Sequence, residues 1–185
     1  MYNKIMIVDR KLDDQFYLKV LQLEDAEEYF ELVDNYREVF REWLSWVDET
    51  NEVGDVLSYI EGCQFDLEEE AGLVCGIWLE GRLVGCVGLV SIDWQHRRAE
   101  IGFWLSPKLQ GKGYMKQAVE ELIVHADEVL QLHRLEIVTA VANQASCRLA
   151  EACGFADEGT MHEAIFMRGK YWDARMYGKV VRSMS

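Results

Sequence analysis

Proline is nearly missing from this chain: Pro107 is the only one in 185 residues. No repeat, low-complexity tract or hinge-like stretch breaks the sequence either, so residues 1–185 read as a single domain, large enough to bury a full core. Basic charge is also scarce. Lys and Arg number 19 against 33 Asp and Glu, a formal net charge of −14. Such a surface repels phosphate backbones, which argues against a sequence-independent grip on nucleic acid. It attracts cationic partners instead, such as amines or basic polypeptide termini. No apolar run approaches the roughly 20 residues a membrane-spanning helix needs. Met1 to Asp14 alternates charged and apolar residues without the apolar centre of a signal peptide. The five cysteines (Cys63, Cys75, Cys86, Cys147, Cys153) are odd in number and form no CxxC pair. Their apolar surroundings fit buried free thiols in a reducing cytoplasm. His96, His125, His133 and His162 are scattered, and no Cys/His spacing suits zinc, so no metal site is expected.

What is present is a legible order of elements. Tyr17 to Leu23 alternates as a strand does. Glu24, Asp25, Glu27 and Glu28 then load a helix N-terminus with negative charge, which the helix dipole favours, and Tyr29, Phe30, Leu32 and Val33 face inward. An aromatic-rich stretch, Arg41 to Asp48, suggests a short helix and a loop. Val53, Val56, Leu57, Ile60 and Gln64 form a second helical stripe. Leu73–Leu79 and Leu83–Ile92 are apolar and β-rich and are joined at Glu80-Gly81-Arg82, as in a hairpin. Arg98–Leu105 is a third consecutive strand.

After the Ser106–Gly113 loop, the run Met115, Ala118, Val119, Leu122, Ile123, Ala126, Val129 and Leu130 predicts a long helix. A strand at Leu135–Val141 follows, then a short helix from about Gln144 to Cys153, stopped by Gly154. The tail reads as a hairpin, Thr160–Met167 and Tyr171–Val180. The fold class is therefore α+β (mixed α/β), with about seven strands, mostly antiparallel, flanked by helices.

The stretch richest in chemical signal is Ile101-Gly102-Phe103-Trp104-Leu105-Ser106-Pro107-Lys108-Leu109-Gln110-Gly111-Lys112-Gly113-Tyr114-Met115. A strand runs into a glycine-containing loop that opens a helix. Unpaired N–H groups and partial positive charge at a helix N-terminus receive phosphate oxygens, and Gly111 and Gly113 let backbone approach an anion. A plain tight turn is the alternative. Neither GxxxxGK[ST] nor GxGxxG with an acidic residue about 20 positions on is present.

Gln110-x-x-Gly113-x-Met115 after a strand resembles the pyrophosphate loop of the GNAT superfamily of acetyl-CoA-dependent N-acetyltransferases. More narrowly, the chain is similar to the branch that acetylates ribosomal-protein N-termini (the RimJ/RimL type). The likeness lies in Arg41-Glu42-Trp43-Leu44-Ser45-Trp46, Ala99 to Leu105, Gln110 to Met115, and Asn143-Gln144-Ala145-Ser146. It continues through Cys153-Gly154-Phe155, Glu158-Gly159-Thr160, Gly169-Lys170-Tyr171-x-Asp173 and Tyr177-Gly178, in the family's order along nearly the whole chain. Met115 departs from the Gly or Ala usual at the last loop position, and its place in the helical stripe predicts that its side chain points inward.

The resemblance implies a GNAT-like fold and acetyl-CoA as cosubstrate. It implies pantetheine pairing with the backbone of Phe103 and Leu105, and a pyrophosphate cradled by N–H groups of Gln110, Gly111, Lys112, Gly113, Tyr114 and Met115. Lys112 either adds a salt bridge to a phosphate or is a solvated loop residue. Asn143 would lie against the pantetheine, and Ser146 would protonate or stabilise the departing thiolate; both also suit helix capping. Leu105 is the candidate N–H donor to the thioester oxygen.

The general base is the difficult position. Where this branch commonly places a glutamate, the chain has Ile165. Glu100, on the strand before the loop, is the first candidate. Glu163 is the second, kept on the face of Ile165 by strand alternation. Tyr177 is a further proton-donor candidate with core packing as its alternative. Trp43, Trp46 and Asp48 would line the acceptor cleft, although tryptophans three apart also suit a helical core.

These residues point to direct transfer of acetyl from acetyl-CoA to a primary amine in one ternary complex, with Cys147 leaving a covalent route open. The first-choice acceptor is a protein N-terminal α-amine. A small amine such as a polyamine or an aminoglycoside-like compound is the second. A non-catalytic acetyl-CoA sensor is the rival from another class. The expected compartment is the cytoplasm, and the aromatic, β-rich C-terminal segment leaves a homodimer open.

Overall fold

The computed structural model of the chain describes residues 10–12 and 14–181. Most of the reading of Met1 to Asp14 therefore lies outside the described residues. Eight strands form one sheet in the order β1-β2-β3-β4-β5-β6-β8-β7. They are β1 (Arg10–Lys11), β2 (Phe16–Val20), β3 (Leu73–Leu79), β4 (Arg82–Asp93), β5 (Arg98–Leu105), β6 (Arg134–Ala140), β7 (Ala156–Met167) and β8 (Lys170–Val180). The strand beyond the expected seven is the two-residue β1, too short to carry a periodic signal. Every neighbouring pair is antiparallel except β5 and β6.

Five helices cover the two faces. The first layer holds α1 (Ala26–Asn35), α2 (Arg37–Phe40) and α3 (Val53–Glu68). Tyr29, Val33, Phe40, Val56 and Ile60 pack there against Trp78, Leu83, Cys86 and Trp104 of the sheet. The start of α3 is held by Asp55, which accepts from the backbone N–H of Glu52 at 3.0 Å. The opposite layer holds α4 (Tyr114–Glu128) and α5 (Gln144–Ala152). The expected stripe of α4 is realised in Met115, Ala118, Val119, Leu122 and Ala126, all buried with Ile101, Leu135, Ile137 and Tyr177. Burial of each larger side chain in this layer contributes about 1.5–3 kcal/mol, which fixes the long helix to the sheet.

One break in the sheet positions everything that follows. The parallel strands β5 and β6 share only three register pairs, Arg98↔Arg134, Ala99↔Leu135 and Glu100↔Glu136. Beyond them β6 runs on with β8 as far as Ala140↔Ala174, while β5 stays with β4 as far as Gly85↔Leu105. The two strands part at Glu100 and a wedge opens between them. A bulge in β4 between Leu89 and Ser91 faces this point, and bulges increase local twist and bend a strand. The bulged Val90 lies where Gly102 has no side chain; a Cβ on Gly102 would sit 2.8 Å from Val90 Cγ1.

Candidate functional site

The wedge holds a cavity of about 260 Å³. Its walls come from β5 (Glu100 to Trp104), from β4 (Cys86 to Gly88, Val90) with Val74 of β3 and Tyr59 of α3, from β6 (Ile137 to Ala140) with Asn143 and Ser146 at the start of α5, from the aromatic stretch (Trp43, Leu44, Trp46) and from the β7–β8 hairpin (Ile165, Met167). Segments far apart in sequence thus meet in one place. Trp43 stacks edge-on against Trp172 of β8 at 6.0 Å, so the aromatic stretch and the hairpin close over the wedge together.

Among the described residues, no strand pairs with the wedge-facing edge of β5 beyond Glu100. The Ser106 N–H donates to the Val84 carbonyl at 2.7 Å, toward β4. Backbone groups alternate along a strand, so the N–H and C=O groups of Phe103 and Leu105 turn the other way, into the gap. Among the described residues, the Leu105 carbonyl accepts a long bond from Gln110 Nε2, 3.5 Å. This edge offers an extended ligand the same ladder a strand would offer.

At the mouth of the wedge the loop enters α4. Gly111 (φ +74°) and Gly113 (φ +88°) both have left-handed backbone. A Cβ at either would meet nothing within 4 Å, so conformation, not crowding, demands glycine there. Gln117 is the first residue of the helix to donate to a carbonyl one turn back, that of Gly113, at 3.1 Å. The N–H groups of Gly113, Tyr114, Met115 and Lys116 precede it and have no intrahelical acceptor, which leaves a cluster of donors and the positive end of the helix dipole exposed. The Met115 side chain is buried in the core as its place in the stripe predicted, so its N–H stays accessible. The Tyr114 ring packs on Phe16 at 5.1 Å. Gln110, Gly111, Lys112 and Gly113 are exposed.

The candidate reacting groups separate clearly. Glu100 lines the cavity and is the only carboxylate among the described residues that do. Desolvation in the wedge, and then the negative charge of Glu136 alongside, push its carboxyl above the usual range. Ser146 also lines the cavity. Its N–H donates to Asn143 Oδ1 at 3.2 Å, so Asn143 does cap α5 while both side chains border the wedge.

Two expectations need correction, and Tyr177 and Cys147 fall on the packing side of the alternatives left open. Glu163 is exposed and does not border the cavity, because β7 slips register between Met161 and Ile165 and Glu163 itself has φ +51°. The alternation that was to keep it beside Ile165 is broken there, and its N–H is tied to Asp173 Oδ1 at 2.9 Å. Asp48 does not border the cavity either. It bridges Arg41 Nε (3.0 Å) and Arg168 Nη1 (3.8 Å), pinning the aromatic stretch to the hairpin turn. Tyr177 is buried in the α4–α5 layer, where its hydroxyl donates to Glu151 Oε1 at 3.1 Å; burial and a bond with Cys147 raise its pKa. Cys147 is buried with it and does not border the cavity. Trp43 and Trp46 do line the cavity. Leu44, Thr139 and Met167 line it as well and were not anticipated, since each reads as an ordinary core position.

Comparison with known proteins fits this geometry. The Acetyltransferase (GNAT) domain family model matches residues 15–156. A spermidine N(1)-acetyltransferase of Escherichia coli (strain K12) is 30% identical over 157 residues, covering 85% of this chain and 81% of that protein. A ribosomal-protein-serine acetyltransferase of the same organism is 25% identical over 173 residues, covering 94% and 97%. Among solved structures, the microcin C7 self-immunity acetyltransferase MccE, in complex with acetyl-CoA and AMP, superimposes with a TM-score of 0.89. It is 30% identical, over 96% of this chain and 98% of that one.

Proposed function

This chain belongs to the GNAT acetyltransferase family and is an acetyl-CoA-dependent N-acetyltransferase, and from that premise we propose that it acetylates a protein N-terminal α-amine by direct transfer in the wedge, in the cytoplasm. The observation that carries the reading is the position of Glu100, a partly desolvated, cavity-lining carboxylate at the vertex where β5 and β6 part.

The residues present fit acetyl-CoA. The donors at Gly113 to Lys116 would hold its diphosphate, and the free backbone of Phe103 and Leu105 would hold its pantetheine arm. Bound there, acetyl-CoA supplies an acyl thioester with a thiol leaving group. Glu100 takes the proton from the incoming ammonium. An α-amine titrates near pH 8, so a carboxylate with a raised pKa is base enough, directly or through one water. The Leu105 N–H donates to the thioester oxygen as the amine nitrogen bonds to the acyl carbon; when the C–S bond breaks, the Ser146 hydroxyl gives its proton to the departing sulfur and takes back the one the new amide nitrogen loses, directly or through water. Trp43 and Trp46 present ring surface to the acceptor side. Cys147, buried, takes no part.

A small polyamine is the second acceptor reading, favoured by the single carboxylate in an aromatic-walled cavity and by the 30% identity to a spermidine acetyltransferase. Thiol release should be followed with a panel of N-terminal peptides, spermidine and aminoglycosides, with mass spectrometry locating the acetyl group. An α-acetylated peptide product at the highest kcat/KM supports the first reading. Higher kcat/KM for spermidine replaces it with the second, and acetyl-CoA binding without turnover across the panel leaves a sensor. Glu100→Gln should cut kcat about a hundredfold with acetyl-CoA affinity kept. Unchanged rates in that variant would hand the proton to solvent alone.

A further inference from the structure

Glu100 has a structured neighbour that the mechanism above does not use. Its register partner across the last paired step of β5 and β6 is Glu136, so the two carboxylates project from the same face of the sheet. Two like charges side by side in a half-buried place are costly, and two arginines hold the Glu136 carboxylate there. Its Oε1 accepts from Arg134 Nε at 2.7 Å and lies 3.5 Å from Arg98 Nη1, and the Glu136 side chain is 14% exposed.

Arg134 is itself anchored from the far side. Its two terminal nitrogens reach across β8 to both carboxylate oxygens of Glu158 on β7. That reach crosses Gly178, the register partner of Glu136, where any Cβ would collide with both Glu158 and Arg134. Glu158 sits in the register slip between Asp157 and Gly159, which aims it at the arginine. Arg98 is steadied in turn by Asp93 of β4 at 3.4 Å. A chain of alternating charges thus runs from β4 to β7 and holds one carboxylate beside Glu100.

We propose that Glu136 is a positioning residue for Glu100: clamped by Arg98 and Arg134, it keeps a fixed negative charge at the vertex of the wedge and so sets how tightly Glu100 holds a proton. The inference rests on the reading of Glu100 as the base. The charged groups that the register and the ion pairs place around the Glu100–Glu136 step are Arg98 on β5, Arg134 on β6, Asp93 on β4 and, beyond Arg134, Glu158 on β7. On the helix side Tyr59 and Cys86 border the same cavity, and burial holds the Cys86 thiol well above its ordinary value. Glu136 is the unit negative charge in register with Glu100, consistent with its place as the second cause of the raised carboxyl.

The test titrates Glu100 directly. Carbon-13 NMR of glutamate side-chain carboxyls, with the Glu100 signal assigned from its loss in Glu100→Gln, is run on the wild type, Glu136→Gln and Arg134→Met. The Glu100 midpoint should fall in Glu136→Gln and rise in Arg134→Met, opposite directions that a loss of packing would not produce. In Glu136→Gln, kcat/KM on the acid side of the profile should increase about three- to fivefold, the effect of removing one screened unit charge at close range. An unchanged midpoint in Glu136→Gln, or shifts of the same sign in both variants, overturns the proposal. If Glu136→Gln does not fold, the exposed Glu158→Gln tests the same chain, because it leaves Arg134 wholly to Glu136 and should also lower the midpoint. A shifted midpoint with an unmoved rate profile keeps the coupling of the two carboxylates and removes Glu100 from the role of base, so the two ideas fail separately.

Discussion

Glu100 carries opposite demands at the scale of a single residue. A base that works on an amine near neutral pH gains from a raised pKa, and the wedge raises it by withholding water. The same desolvation makes the ionised form less stable in the folded chain than in the unfolded one. A carboxyl with a raised folded value contributes its full stability below the unfolded value, and loses it as pH rises through the folded value. Glu100→Gln should therefore raise the melting temperature at pH 8 by about 1–3 °C and leave it unchanged near pH 3.5. Calorimetry at the two pH values decides; a variant less stable than the wild type at pH 8 would mean that the ionised carboxylate is satisfied by a bond and not merely tolerated. Neighbouring residues were readable in sequence to different degrees. Glu100, Asn143 and Ser146 stand in short patterns next to strand ends, and those patterns are local. Asp48 is decided by Arg168, far along the chain, and no local pattern announces that ion pair. Glu163 was misplaced because alternation assumes an unbroken pleat, and the slip between Met161 and Ile165 breaks it.

Individual elements were the most legible level, and the gap between two of them the least. The stripe of α4, the 73–93 hairpin and the stop at Gly154 follow from periodicity and turn chemistry that each segment carries by itself. The wedge depends on where β5 and β6 stop pairing, a relation between strands separated by the loop and the whole of α4. Nothing in either strand alone encodes it. The loop at the wedge mouth is an intermediate case: sequence located its glycines, while the structure supplies their reason in backbone angles of +74° and +88°. A β-branched side chain at such a φ costs about 1–2 kcal/mol, so the loop would leave the conformation that presents its N–H groups. Gly113→Val should weaken acetyl-CoA binding at least about tenfold by calorimetric titration. Gly113→Asn should lose much less, because Asn adopts the left-handed region more readily. Equal losses in both variants would point to crowding by the ligand in place of backbone strain, and normal affinity in both would dismiss the loop as the diphosphate site.

Across the whole molecule the governing quantity is the formal charge of −14. The two substrates differ in sign: acetyl-CoA arrives as a polyanion, the acceptor as an ammonium. A field of several kT around an acidic surface speeds the approach of one and slows the other, and salt screens both effects with a Debye length of about 8–10 Å at ordinary ionic strength. The helix N-terminus at Gly113 is then more than a binding detail. It supplies positive potential at the one place where an anion must come close to an otherwise repelling surface. Raising salt from about 0.05 to 0.5 M, which shortens the Debye length about threefold, should lower the KM for acetyl-CoA and raise the KM for the acceptor. The acceptor's slope also reports its charge. A triply charged polyamine loses far more attraction than a peptide whose only cation is its α-ammonium, so a steep rise for spermidine beside a shallow one for a neutral-sequence peptide is the expected pattern. Initial-rate kinetics at four or five salt concentrations measure it. If both Michaelis constants instead move in the same direction, the overall field does not govern approach, and the local charges at the wedge, Glu100 and the clamped Glu136, must select the amine unaided.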